Sequence, residues 1–162
     1  MHLYPASLLV TAAVLLPNLI LLALPPLNVK KYGKPSGPLA LTLIERAGQV
    51  SCFVLPLFFP LSFTGSLVIS GWIVMGVSLG FYYGGWIRFF VHGRDYALLF
   101  SPILGLPVPM AIHPVIFFFF ASLVLGSVYQ AIGAALLGVG HISISILEFR
   151  RIKAELVRSI PQ

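Results

Sequence analysis

Charge is what this sequence has least of. Ten Lys and Arg and four Asp and Glu make up 9% of its 162 residues, whereas a soluble domain draws about a quarter of its residues from these four types. That scarcity excludes a soluble globular domain. Cysteine is nearly missing too: Cys52 stands alone inside an apolar run, so no intramolecular disulfide can form and thiols identify no redox compartment. There is no low-complexity tract, no segment of soluble composition long enough for a separate catalytic domain, and no internal repeat. The missing repeat counts against an inverted-repeat transporter. The leading MHLY carries no Lys or Arg, and the apolar run after it ends in Ala-Leu-Pro-Pro directly before a basic cluster. A cleavable signal peptide does not look like this, so the first segment is expected to stay in the membrane.

What is present is apolar. With 59% hydrophobic residues and a mean hydropathy of +1.02, the chain reads as an all-α integral membrane protein forming a single membrane domain over 1–162. Stretches at about 5–26, 42–63, 67–90, 109–126 and 128–148 approach the roughly 20 residues that cross a hydrocarbon core. The basic residues fall in short clusters between them: Lys30, Lys31, Lys34 and Arg46, then Arg88 and Arg94, then Arg150, Arg151, Lys153 and Arg158. Five crossings put all of these on one side. The positive-inside bias then places the N-terminus outside and the C-terminus in the cytoplasm, as a multi-pass protein of the cytoplasmic membrane. A net charge of +6 would point to nucleic acid in a soluble protein; in this arrangement it does not, and no nucleic-acid partner is expected.

Several local features carry expectations. Pro17 deprives the Ala13 carbonyl of its helical donor, and the amide of Asn18 is placed to bond to a neighbouring helix. Thr42 and Glu45 have the spacing of a capping box, which would start the second span near Thr42. Glu45, Gln49 and Cys52 also recur on one helical face, with Arg46 beside them. Gly76, Gly80 and Gly84 form a smooth face for helix packing, inside the fold or between copies in a homo-oligomer. Tyr82, Tyr83 and Trp86 read as an interfacial aromatic belt. In the tail at 149–162, Phe149, Ile152, Leu156 and Ile160 share a face opposite Arg150, Arg151, Lys153 and Arg158, a pattern suited to anionic inner-leaflet headgroups.

The stretch from Gly93 to Ser127 is too long for one span and too interrupted for two, with prolines at 102, 107, 109 and 114. Either the fourth helix starts at Pro109 and is kinked at Pro114, or it is broken and starts at Pro114. The preceding 101–112 is accordingly interfacial or re-entrant. A turn at Gly126-Ser127 would set His113 and His141 at one depth, in the cytoplasmic third, together with Glu45, Arg46, Gln49 and Tyr82. Local geometry also lets His141 bond to Ser145.

Ionisable groups gathered at one depth make a ligand site the leading expectation. Its candidate residues are Glu45, Arg46, Gln49, Tyr82, Arg94, His113 and His141, taking a small anionic or lipidic ligand to be bound or transported in a cytoplasmic-side cavity. No catalytic residue is assigned, and no metal or cofactor is expected. The alternatives are an integral membrane enzyme acting on a lipid headgroup or isoprenoid, and an accessory subunit that assembles through the span 3 glycines. His113-Pro114 at a helix start, followed by a span and then Glu148 before a basic tail, resembles the last part of the multispan isoprenylcysteine and phospholipid methyltransferases. Ile112 and Ile116 stand where that family has Arg and an aromatic hydroxyl. The cofactor motif is therefore missing, and the resemblance implies no activity.

Overall fold

Pro17 has no amide hydrogen for the carbonyl of Ala13, and the way this deficit is met fixes how the first helix sits. Tyr83 Oη donates to Ala13 O at 2.8 Å. One residue on, Asn18 Nδ2 donates to Val14 O at 2.9 Å and to Tyr82 Oη at 2.7 Å. Two consecutive tyrosines of another helix thus meet the proline-altered turn. Replacing Tyr83 by Phe leaves Ala13 O without a donor and is expected to cost about 1 kcal/mol of stability. Detergent-monitored thermal unfolding would read this as a lowered midpoint; an unchanged midpoint would show that the bond contributes nothing.

The computed structural model describes residues 2–32 and 37–158. The helices are α1 (Leu8–Ala23), α2 (Leu39–Val54), α3 (Ser66–Val91), α4 (Pro109–Leu125), α5 (Val128–Leu137) and α6 (Ser143–Arg158). A π-helical turn, Gly138–Ile142, joins α5 to α6, and a 3-10 turn, Leu55–Phe58, extends α2. No strand occurs among the described residues. Four helical stretches are long and apolar enough to cross a membrane: Pro5–Ala23, Leu39–Phe58, Ser66–Val91 and Val128–Arg158. α4 is apolar and shorter, at 17 residues, or about 26 Å at 1.5 Å per residue.

These bounds correct several expectations. α2 starts at Leu39, so Thr42 lies inside it and bonds back to Pro38 O; there is no capping box, and Glu45 is spent elsewhere. α4 runs unbroken from Pro109 through Pro114, which rules out a helix beginning at Pro114. The residues before it form a tight hairpin, with Ile103 and Leu106 exchanging backbone bonds at 3.2 and 3.0 Å. Leu104 and Gly105 take φ of 50° and 81° at its tip, the pattern of a type I′ turn. Gly126 (φ 59°) and Ser127, whose Oγ accepts from Gln130 N, turn the chain from α4 into α5, as expected from sequence.

Two seams hold the bundle. α3 packs along α4, with Gly71 against Leu123 and Gly85 against Met110. α2 packs along α5 more tightly still: a Cβ on Gly48 would lie 2.2 Å from Leu137 N, and one on Gly140 2.5 Å from Glu45 N. Only glycine permits this approach. By contrast, nothing lies within 4 Å of a Cβ built on Gly76, Gly80 or Gly84. Within the chain these three are not packing positions. Nor are Tyr82 and Trp86 a surface belt, being 4% and 5% exposed in the core.

The helices share two ends of opposite character. At one, Tyr4 N bonds Leu57 O, Ser7 Oγ bonds Phe59 O and Ser62 N bonds Val124 O, with no charged side chain nearby in sequence. At the other, Leu27 N donates to Arg94 O and Tyr96 N donates to Leu27 O, and Ile152 of α6 is buried with Tyr32 and Tyr96. That end gathers Lys30, Lys31, Arg88, Arg94 and the α6 arginines. The tail is therefore not a free amphipathic piece. It continues the α5–α6 helix to Arg158 and spends Ile152 on the protein, while Leu156 stays exposed. Lys34 and Ile160, which figured in the charge count and the tail face, lie outside the described residues.

Candidate functional site

The close approach at Gly140 has a chemical result. It brings the backbone of Glu45 against the π-helical turn, and His141 Nδ1 then lies 2.6 Å from Glu45 Oε1. The pair joins residues 96 positions apart. The side chains are 14% exposed for Glu45 and 32% for His141. A carboxylate only accepts, so the bonded nitrogen carries the proton and Nε2 is left for another partner. His141 is thus held by Glu45 and not by Ser145, because the π-helical turn presents its ring toward α2.

His141 forms part of the wall of a cavity of about 370 Å³ between the two seams and α1. Apolar side chains dominate the lining, among them Val14, Phe53, Met110, Ala111, Phe118 and Leu137. The polar contributors are Asn18, Gln49, Tyr82, Trp86, His141 and Ser145. No Lys or Arg is among the lining residues. The indole N–H of Trp86 is buried, with Tyr82 Oη as its polar neighbour.

Of the residues singled out in the sequence, Gln49, Tyr82 and His141 meet at this cavity, and Glu45 supports it from behind His141. Arg46 is exposed and donates to Gln49 Oε1 at 2.9 Å, outside the lining. Arg94 sits in the loop after α3 with φ 56°, its backbone bonded to Phe89 and Leu27. His113 faces another way: its ring stacks on Phe81 at 5.0 Å and 9°, and it does not line the cavity. The two histidines therefore do not face one gap. Cys52 is wholly buried in the core. Asn18, Trp86, Met110, Ala111 and Ser145 join the site although the sequence had not placed them there. Of these, Ser145 carried the clearest signal, one helical turn beyond His141.

A second polar cluster closes the charged end of the bundle. Asp95 accepts from Asn28 Nδ2 at 2.7 Å, from Ala97 N at 2.8 Å and from Tyr32 Oη at 3.3 Å. Tyr96 Oη donates to Glu148 at 3.0 Å, and Glu148 also pairs with Arg151. Burial opposes ionisation of Asp95, but these bonds and the charge of Lys31 outweigh it and hold the carboxyl below its usual range. Burial, with the neighbouring carboxylates, pushes the Tyr32 and Tyr96 hydroxyls up, so both remain donors.

The sign of the resulting pH dependence follows. A carboxylate whose folded pKa is depressed stabilises above its unfolded pKa, and the contribution is lost as pH falls through the folded value. Acidification below the ordinary carboxylate range is expected to lower the protection factors of the Leu27 and Tyr96 amides, taken relative to the intrinsic exchange rate at each pH, and Asp95→Asn to abolish most of that pH dependence. Equal acid response in both proteins would contradict this role.

Comparison with protein-family models, with curated proteins and with solved structures finds no match to this chain.

Proposed function

We propose that this is a multi-pass protein of the cytoplasmic membrane that binds a lipidic ligand in the cavity between α1 and the two helix seams. The supporting observation is the composition of the wall: apolar side chains from α1, α2, α4 and α5, six polar residues, and no Lys or Arg. A fixed anion would find no counter-charge there and would face Glu45 behind His141, so of the anionic and lipidic alternatives the lipidic one fits. α1 bears on the other helices at fewer points than the seams bear on each other, which offers a lateral way in from the bilayer.

In this reading the chain crosses the membrane five times, with α4 as the shortest crossing. α4 starts at the charged end and ends at the uncharged one, antiparallel to α3 and α5, and its short span is eased by the hairpin that precedes it. The positive-inside bias then puts the charged end in the cytoplasm. Exposed Arg150 and Lys153 face anionic headgroups from there. The open face at Gly76, Gly80 and Gly84 suits a second copy of the chain, as a homo-oligomer or an assembly subunit would require.

A second reading, a membrane enzyme, draws on the Glu45–His141 pair, since an imidazole oriented by a carboxylate is the usual arrangement of a general base. Bound lipid distinguishes the cavity reading from an empty structural void: native mass spectrometry of protein released from its membrane should show one lipid retained per chain. Bare protein under conditions that preserve its fold would overturn it.

A further inference from the structure

Arg46 forms no ion pair among the described residues. It lies seven residues after the start of α2 at Leu39, about 10 Å along a stretch long and apolar enough to cross a membrane. Its side chain is exposed, and the guanidinium donates to a neutral amide, Gln49 Oε1 at 2.9 Å. The chain has four Asp and Glu, and each is engaged elsewhere. Glu45, within electrostatic reach of Arg46, is bonded to His141, and Asp95 accepts from Asn28, Tyr32 and Ala97 N. Glu148 and Glu155 pair with Arg151 and Arg158. A cation two turns inside a span is costly without a counter-charge, so one supplied from outside the chain would be favoured.

Gln49 shows where that counter-charge would sit. It lines the cavity while it holds Arg46, which lies outside the lining, so their bond joins the cavity wall to the outer surface of α2. Resting on the lipidic reading above, we infer that the ligand is a phospholipid of net negative charge: its phosphate meets the Arg46 guanidinium at the rim, and one acyl chain enters the cavity against Phe53, Met110 and Phe118. The anion stays outside a wall that has no Lys or Arg to receive it. No carboxylate is left over for an ammonium, so a choline or ethanolamine headgroup offsets its own phosphate and gains nothing in exchange. Gln49 is the positioning residue.

The probes are phosphatidylglycerol, phosphatidylcholine and diacylglycerol with identical acyl chains. Each is titrated into the delipidated full chain in a neutral detergent, and the first bound lipid is read by native mass spectrometry. Phosphatidylglycerol should bind about tenfold more tightly than diacylglycerol, the equivalent of one charge-assisted hydrogen bond, and about threefold more tightly than phosphatidylcholine. In Arg46→Gln both preferences should fall below about twofold while diacylglycerol binds as before.

Arg88→Gln makes the same change in net charge at a residue that does not line the cavity, and it should keep the preference. This separates a site from the general attraction of a basic protein for anionic lipid. Equal binding of phosphatidylglycerol and either other lipid by the parent protein would overturn the inference and leave the cavity reading standing. So would a preference that survives Arg46→Gln or is lost equally in Arg88→Gln. Failure of all three lipids to bind would remove the cavity reading itself.

Discussion

Gly140→Ala should be among the most damaging single changes in the chain. A Cβ there falls 2.5 Å from Glu45 N and 2.6 Å from Glu45 Cα, so backbone must move and no rotamer can relieve the clash. Gly48→Ala meets the same seam from the other side, 2.2 Å from Leu137 N. Overpacking of this kind costs about 3 kcal/mol or more. Each variant should unfold at clearly lower temperature, and Gly140→Ala should in addition part His141 from Glu45. Gly80→Ala, measured on detergent-dispersed monomer so that any contact between copies is absent, is the control. Nothing lies within 4 Å of its Cβ, and alanine favours the helix by about 1 kcal/mol over glycine. If Gly80→Ala proved as harmful as Gly140→Ala, the seams would be misassigned.

The second large effect is expected at the Glu45–His141 pair, read as a double-mutant cycle. Glu45→Leu leaves a half-buried imidazole N–H with no acceptor, and His141→Phe leaves a carboxylate with no donor. Removing one partner of such a pair is more harmful than removing both. Each side chain keeps some exposure, so each single change is expected to cost about 2 kcal/mol and the double variant to recover about half of that. Thermal unfolding of the four proteins measures the coupling. Strict additivity would mean the 2.6 Å contact carries no energy.

Part of the residue gathering was legible in the sequence, and direction around the helix was not. Counting from the turn at Gly126-Ser127 places Glu45, Gln49, Tyr82 and His141 at one level, and the structure brings them together at one cavity and its support. The same count places His113 beside them, yet its ring lies on Phe81. The reason is physical. In a helix apolar all round, the faces toward lipid and toward protein look alike, so hydropathy gives no azimuth. Gly76, Gly80 and Gly84 drew attention by their regular spacing, but the working glycines are Gly48, Gly133 and Gly140, divided between two helices. A seam that needs residues from both sides leaves no motif in either. The polar ends were easier. The Pro17 deficit and the reach of Asn18 followed from local chemistry, and only the identity of their partners, Tyr82 and Tyr83, needed the fold.

The central claim is that the cavity holds a lipid, and Ala111 gives the most direct access to it. This side chain is 4% exposed and lines the cavity wall, so Ala111→Phe fills the space with protein and changes no polar group. Native mass spectrometry of both proteins, purified identically from their membrane, should show one retained lipid per chain in the parent and bare protein in the Ala111→Phe variant. A variant that folds and retains the same lipid to the same extent would contradict the account.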